Sequence, residues 1–183
     1  MFHKTKSFVS AINIQYFKTD FGELIIGEWN QRICLLDWQY RNRRVAIDQR
    51  IKKMLNAEFQ TKNSEIIEQA KYQLIEYFKR ERKEFDFPFQ LVGTEFQKQV
   101  WAELIKIPYG KTITYLELAN RLENPQAIRA VATANGANAL AIVIPCHRVI
   151  GSNGQLVGYA GGLFIKKRLL ELENNSMITQ TLF

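Results

Sequence analysis

The chain has 183 residues, 46% of them hydrophobic, and carries 25 Lys+Arg against 18 Asp+Glu for a formal charge of +7. That is enough for one substantial core or two small ones, and no apolar run approaches the ~20 residues a membrane helix needs. The basic excess is divided +4 over residues 1–92 and +3 over 93–183, so charge alone argues only weakly for a nucleic-acid partner.

The opening stretch, MFHKTKSFVSAINIQYF, is basic, but Asn13 and Gln15 break its apolar positions. It offers no signal-peptide core and no small-residue cleavage site, so a cytoplasmic location is expected, nuclear in a eukaryote, with no membrane partner. The two cysteines, Cys34 and Cys146, are expected to stay reduced there. The chain has two histidines and no paired Cys/His spacing, and His147 directly follows Cys146. Neither a metal nor a cofactor is expected.

Residues 11–39 read as strands. INIQYF is followed by a turn at Asp20, Phe21 and Gly22, and ELIIGEW and RICLLDW flank a short hairpin connection at Asn30 and Gln31. Cys34 lies inside the last of these and reads as a buried core residue. Residues 45–57 are a weaker helix candidate and 65–80 a stronger one. There Ser64 is the cap, and Ile67, Ala70, Leu74 and Tyr77 or Phe78 share a face. Pro88 and Gly93 then punctuate a charged, aromatic stretch, which places a boundary between residues 1–90 and 91–183.

The second half opens with a capping box, Thr94 to Gln97, and Phe96, Val100, Leu104 and Ile107 follow at helical spacing. A second capping box, Thr114 to Glu117, opens a short helix that runs to about Leu122. Asn124 is the predicted cap of a third helix, with Pro125 at its first position and Gly136 just past its end. Two short helices joined by a tight turn fit a helix-turn-helix or an ordinary helical hairpin. The second of them is lined by Ala127, Ala130, Ala132 and Ala134, which permits close approach to a surface, and Arg129 is its one charged residue. GSNGQLVGYAGG has five glycines in twelve residues, a loop built for unusual dihedrals. A last helix is predicted over 163–173.

Between these lies IPCHRV, at 144–149. A thiolate is the reactive form of cysteine, and a nearby imidazole can favour it. Adjacent side chains rarely face each other, so contact between Cys146 and His147 requires a turn at Pro145 or a bridging water. A third group should orient the imidazole; Glu173, Glu171 and Glu117 are all candidates. On residues alone Cys146 is a nucleophile or a buried structural cysteine.

The combination IPCHRVIG, GYAGG and K-x-x-L-L-x-x-E (Lys166, Leu169, Leu170, Glu173) resembles the O6-alkylguanine-DNA alkyltransferases. The resemblance extends upstream through GTEFQKQVW, IPYGKTITYLELA, RAV at 129–131 and Asn138, and takes in QLIEYF and FDFPF. It covers residues 64–173 closely and the N-terminal strands loosely. It implies an α/β, ribonuclease-H-like N-terminal domain followed by a mainly helical domain carrying a helix-turn-helix that enters the minor groove of double-stranded DNA.

The implied activity is DNA repair, by single-turnover transfer of the methyl group of O6-methylguanine, and also of O4-methylthymine, to Cys146 after nucleotide flipping. His147 would deprotonate Cys146 through a water, and Glu173 would orient His147. Tyr115 would help rotate the nucleotide and donate a proton toward the guanine, and Asn138 would form the hinge of the cysteine turn. Tyr159 and the N–H of Ala160 would contact the base, and the carbonyls of Cys146 and Val149 its 2-amino group. Arg129, with Ala127 and Ala130 beside it, would face the DNA and fill the gap left by the flipped nucleotide. A monomer is expected. Ala139 stands where the family often has proline, and Ala160 where some members have serine; the zinc ligands of some members are absent. The alternatives are a protein that binds alkylguanine without repairing it, in whose relatives the cysteine is replaced, and a cysteine hydrolase.

Overall fold

The computed structural model describes residues 10–174; the first nine residues of the opening stretch, read above for a leader, lie outside them. β1 (Ser10–Thr19), β2 (Gly22–Trp29) and β3 (Arg32–Trp38) form an antiparallel meander. The β2–β3 connection is the predicted one: Asn30 and Gln31 have φ of 50° and 58°, as the hairpin turns that match strand twist require. α1 (Arg44–Leu55) leads into β4 (Ala57–Thr61), which pairs in parallel with β1, giving the order β3-β2-β1-β4.

The strand β4 is absent from the sequence reading. It is an edge strand, and only Ala57 and Phe59 of its AEFQT are apolar. Two apolar positions in five residues, next to a helix candidate, make too short an alternation to mark a strand.

Both faces of the sheet are covered. On one, Ile12, Ile14, Ile25, Cys34 and Leu35 pack with Ile47 and Ile51 of α1. On the other, Leu24, Ile26, Ile33 and Leu36 pack with Ile67, Ala70 and Leu74 of α2 (Glu65–Phe78). Burial on two sides explains why β2 reads as an unbroken apolar run, and each buried Leu or Ile contributes roughly 1.5–3 kcal/mol. Ser64 caps α2 as predicted, accepting from the N–H of Ile67.

The second core continues into the C-terminal half, through Val100, Trp101 and Leu104 of α3 (Glu95–Ile105), Leu118 of α4 (Tyr115–Arg121) and Val131 of α5 (Ile128–Gly136). Both predicted capping boxes, at Thr94 and Thr114, are formed. Gly93 is needed where it stands, since a Cβ there would lie 2.4 Å from the Trp101 ring. β5 (Ile113–Thr114) pairs in parallel with β6 (Val149–Ile150), and α6 (Leu163–Asn174) closes the domain.

Two expectations about α5 fail. Asn124 makes no capping bond; a 3-10 turn, Pro125–Ala127, leads into the helix instead. Gly136 is the last helical residue and does not adopt a left-handed conformation, and Ala137 after it is still right-handed. At the C-terminal end the physical reason lies in the other half of the chain. Arg41 Nη2 donates to the Gly136 carbonyl at 2.6 Å, Arg41 Nη1 to that of Asn138 at 2.8 Å, and Arg50 Nη2 to that of Ala137 at 2.8 Å. These guanidinium groups bond carbonyls at and just beyond the helix end, so no left-handed glycine is needed to turn backbone N–H groups onto the terminus. No helix among the described residues is long and apolar enough to cross a membrane.

Candidate active site

The segment after α5 is held against the sheet. Leu36 donates its N–H to the Ala139 carbonyl (2.8 Å), and Ala141 donates to Leu36 (2.6 Å). Ile142 then takes φ 74°, with the Val143 N–H reaching back to the Ala141 carbonyl at 2.9 Å. This is a three-residue turn whose central conformation is costly for a β-branched residue. Pro145, at φ −79° and ψ 58°, makes a second tight turn, closed by Cys146 N–H to Ile144 at 2.7 Å. A 3-10 turn, Cys146–Arg148, follows. The turn that contact between Cys146 and His147 would require is therefore present, yet the imidazole bonds Glu173 and not Cys146.

Asn138 organises this path. Its Nδ2 donates to the Ile144 carbonyl (2.9 Å) and approaches Cys146 Sγ (3.2 Å), while its Oδ1 accepts from Leu140 N–H (2.9 Å). Cys146 is 3% exposed and forms part of a cavity of about 300 Å³ shared with Tyr115, Ala132, Asn135, Tyr159 and Ala160. The Tyr115 hydroxyl oxygen accepts from Asn135 Nδ2 at 3.2 Å. The Tyr159 hydroxyl accepts from Trp38 Nε1 at 2.9 Å, which brings a residue of the N-terminal sheet to the wall of the site. Burial pushes the Tyr115 hydroxyl up to about 12. It therefore stays protonated, with its own hydrogen free to donate.

Behind Cys146 the imidazole of His147 is fully buried. Its Nε2 lies 2.8 Å from Glu173 Oε1, and its Nδ1 has no protein partner. Glu173 also accepts from Tyr77 OH (2.7 Å), from Arg148 Nε and Nη2 (both 2.9 Å) and from the N–H of Gly110 (3.1 Å). Burial alone would raise the Glu173 carboxyl, but the bonds from His147 and Arg148 more than offset it and hold it well below the usual carboxylate range. An ionised Glu173 accepts the hydrogen bond from Nε2–H, which assigns the free lone pair to Nδ1. Burial lowers the His147 imidazole despite that carboxylate, so the ring rests neutral while Arg148 matches the charge. Burial likewise raises the Cys146 thiol, with Asn138 opposing. Thiol and imidazole are thus both uncharged at neutral pH.

Of the predicted residues, the fold brings Cys146, Tyr115, Tyr159 and Ala160 to one cavity, with Asn138, His147 and Glu173 supporting it. Val149 is not among the lining residues. Its carbonyl, expected to meet the base, accepts Lys166 Nζ at 2.6 Å, and its N–H donates to the Cys146 carbonyl. Ala127, Arg129 and Ala130 lie outside the cavity, with Arg129 and Ala130 exposed and Ala127 half-buried. Arg148, Tyr77, Trp38 and Lys166 have roles in the site that the sequence reading did not give them. A basic residue inside an otherwise apolar run was the one available signal, at Arg148. Among the described residues no group of three His, Cys, Asp or Glu side chains could hold a metal ion. Cys34 is 1% exposed, its thiol pushed up to about 12 by burial, and is the core residue expected.

A sheet-bearing N-terminal domain joined to a helical one, with a buried cysteine in a cavity and a buried His147–Glu173 pair next to it in the chain, defines the class. Residues 12–91 match the profile of the 6-O-methylguanine DNA methyltransferase ribonuclease-like domain, and residues 95–175 that of the family's DNA-binding domain. The chain belongs to the 6-O-methylguanine DNA methyltransferase family. It is 51% identical over 115 residues to the methylated-DNA–protein-cysteine methyltransferase of Methanosarcina mazei, covering 63% of this chain and 73% of that one. With the Mycobacterium leprae protein of the same name it shares 52% over 116 residues, 63% and 70% of the two chains. The Mycobacterium tuberculosis O6-methylguanine methyltransferase superposes with a TM-score of 0.76 at 34% identity, over 92% of this chain and 96% of that one. The Mycobacterium tuberculosis OGT in complex with DNA superposes at 0.77 and 36%, over 90% and 93%.

Proposed function

We propose that the chain repairs O6-methylguanine in double-stranded DNA by moving the methyl group irreversibly to Cys146, once per molecule. The observation that carries this reading is the cavity. Cys146 Sγ meets it, a proton acceptor backed by a carboxylate lies behind, and the Tyr115 hydroxyl stands across it.

The nucleotide leaves the stack so that its methyl group can reach the thiol. His147 Nδ1 takes the thiol proton through a water, and Glu173 stabilises the imidazolium that forms. Sγ attacks the methyl carbon as the bond to O6 breaks, and Tyr115 donates its proton toward the departing guanine. Tyr159 packs on the base, the N–H of Ala160 donates to it, and the carbonyls of Cys146 and Val149 each keep a second lone pair for its 2-amino group. The product is a thioether with no readily displaced group, so nothing regenerates the thiol. The same displacement applies to O4-methylthymine.

In this reading residues 1–90 are a ribonuclease-H-like domain and 91–183 the acceptor domain. α4 and α5 form a helix-turn-helix in the minor groove, with Ala127 and Ala130 allowing close approach and Arg129 replacing the flipped nucleotide. The protein acts as a monomer. Incubation with O6-methylguanine duplex followed by intact mass and peptide mapping tests the reading. One added methyl on the Cys146 peptide, lost in Cys146→Ala and retained in Cys34→Ala, is the expected result. Tight binding with no mass change would instead mark a lesion-binding protein, and the absence of both would leave a cysteine hydrolase.

A further inference from the structure

Part of the cavity wall, next to the C-terminal end of α5, comes from the N-terminal half. Arg41, Asn42 and Arg43, in the loop between β3 and α1, all border it. Arg41 is fixed in place: it is 7% exposed, its Nη1 lies 2.6 Å from Asp37 Oδ2, and its guanidinium also holds the Gly136 and Asn138 carbonyls. Its charge is therefore spent within the protein. Arg43 differs. It is exposed, stands two residues further along the pinned loop in a left-handed conformation, φ 65°, and makes no ion pair among the described residues. No acidic side chain borders the cavity. A nucleotide whose base enters this cavity carries a phosphate on each side of its sugar, and these must remain at the mouth, where Arg43 sits. An arginine whose backbone is already held by its neighbour loses less freedom on binding a phosphate than one on a mobile loop.

We propose that this loop is a second DNA contact, in which the Arg43 guanidinium takes a backbone phosphate beside the nucleotide that enters the Cys146 cavity. The proposal rests on the transfer reading above and adds to it a DNA-binding residue from outside the helical domain.

The test is the salt dependence of equilibrium binding to an O6-methylguanine duplex, measured with full-length chain carrying Cys146→Ala so that no transfer consumes the lesion. Removing one phosphate contact lowers the slope of log K against log salt by about 0.9 and weakens binding roughly five- to tenfold near 0.1 M salt. Arg43→Gln should show that loss, and Arg43→Lys should restore the slope. Lys62→Gln, which removes the same charge just after β4 at the far edge of the sheet, should leave it unchanged. An unchanged slope in Arg43→Gln, or an equal fall in Lys62→Gln, overturns the proposal. Methyl gain by the parent chain on the same duplex is read separately by mass, so failure of the transfer reading and failure of this contact are distinguishable.

Discussion

At the scale of single residues, the site is an uncharged pair held against a fixed charge. Burial raises the Cys146 thiol and lowers the His147 imidazole, so both rest uncharged, while the Glu173 carboxylate beside the imidazole is held ionised and bonded by Arg148 and Tyr77. Glu173→Gln should therefore act twice. Single-turnover transfer should fall by roughly 10²–10⁴-fold, and stability should fall by about 3 kcal/mol as Arg148 loses its buried partner. Chemical unfolding and rapid-quench transfer rates separate the two. A Gln variant with the parent's rate would show that the Glu173 charge has no part in the transfer. The pH dependence follows from the same shifts. The His147 pKa is lowered from 6.5 in the folded chain, so its contribution to stability is complete above that pH and is lost as pH falls through the folded value. Glu173, lowered from 4.5, behaves the same way further into acid. The transfer rate should be level above pH 6.5 and decline below it; a rise centred above 6.5 would contradict a neutral resting imidazole.

At the scale of elements, legibility tracked the range of the interactions. The capping boxes at Thr94 and Thr114 and the Ser64 cap are written within four residues and were readable. The strand β4 was not, because its identity comes from pairing with β1, and neither was the end of α5, because Arg41 and Gly136 are 95 residues apart. In the site, Cys146, His147, Tyr115 and Asn138 stood out through motif and resemblance. The choice of Glu173 over Glu171 and Glu117 needed the resemblance, and the bonds from Tyr77 and Trp38 needed the fold. The helix α5 carries its own prediction. If Arg129 fills the space of the flipped nucleotide, Arg129→Ala slows the duplex reaction even at saturating protein but leaves the slow reaction with free O6-alkylguanine base little changed. Restoration of the duplex rate at saturation would reduce Arg129 to a phosphate contact, and an equal loss on free base would mean a damaged site.

At the scale of the whole molecule, the two halves are joined by more than a linker. β3 pairs with backbone from both sides, through Ile33 with Pro88 and Gln90 and through Leu36 with Ala139 and Ala141, and one apolar cluster runs from Leu24 to Leu172. Unfolding should accordingly be a single cooperative transition. Far-ultraviolet dichroism and tryptophan fluorescence should give coincident curves, since Trp38 and Trp101 sit in that one cluster; two separated transitions would show that the halves fold independently. The continuity has a functional side, because N-terminal residues cap α5 and hydrogen-bond Tyr159.

In the proposed reaction Cys146 accepts a methyl group and keeps it. This is measured directly by the number of methyl groups recovered per chain when duplex carrying labelled O6-methylguanine is supplied in large excess and incubation is prolonged. A plateau at one is expected, with all the label on the peptide containing Cys146. Continued turnover past one, or label on Cys34, would contradict it.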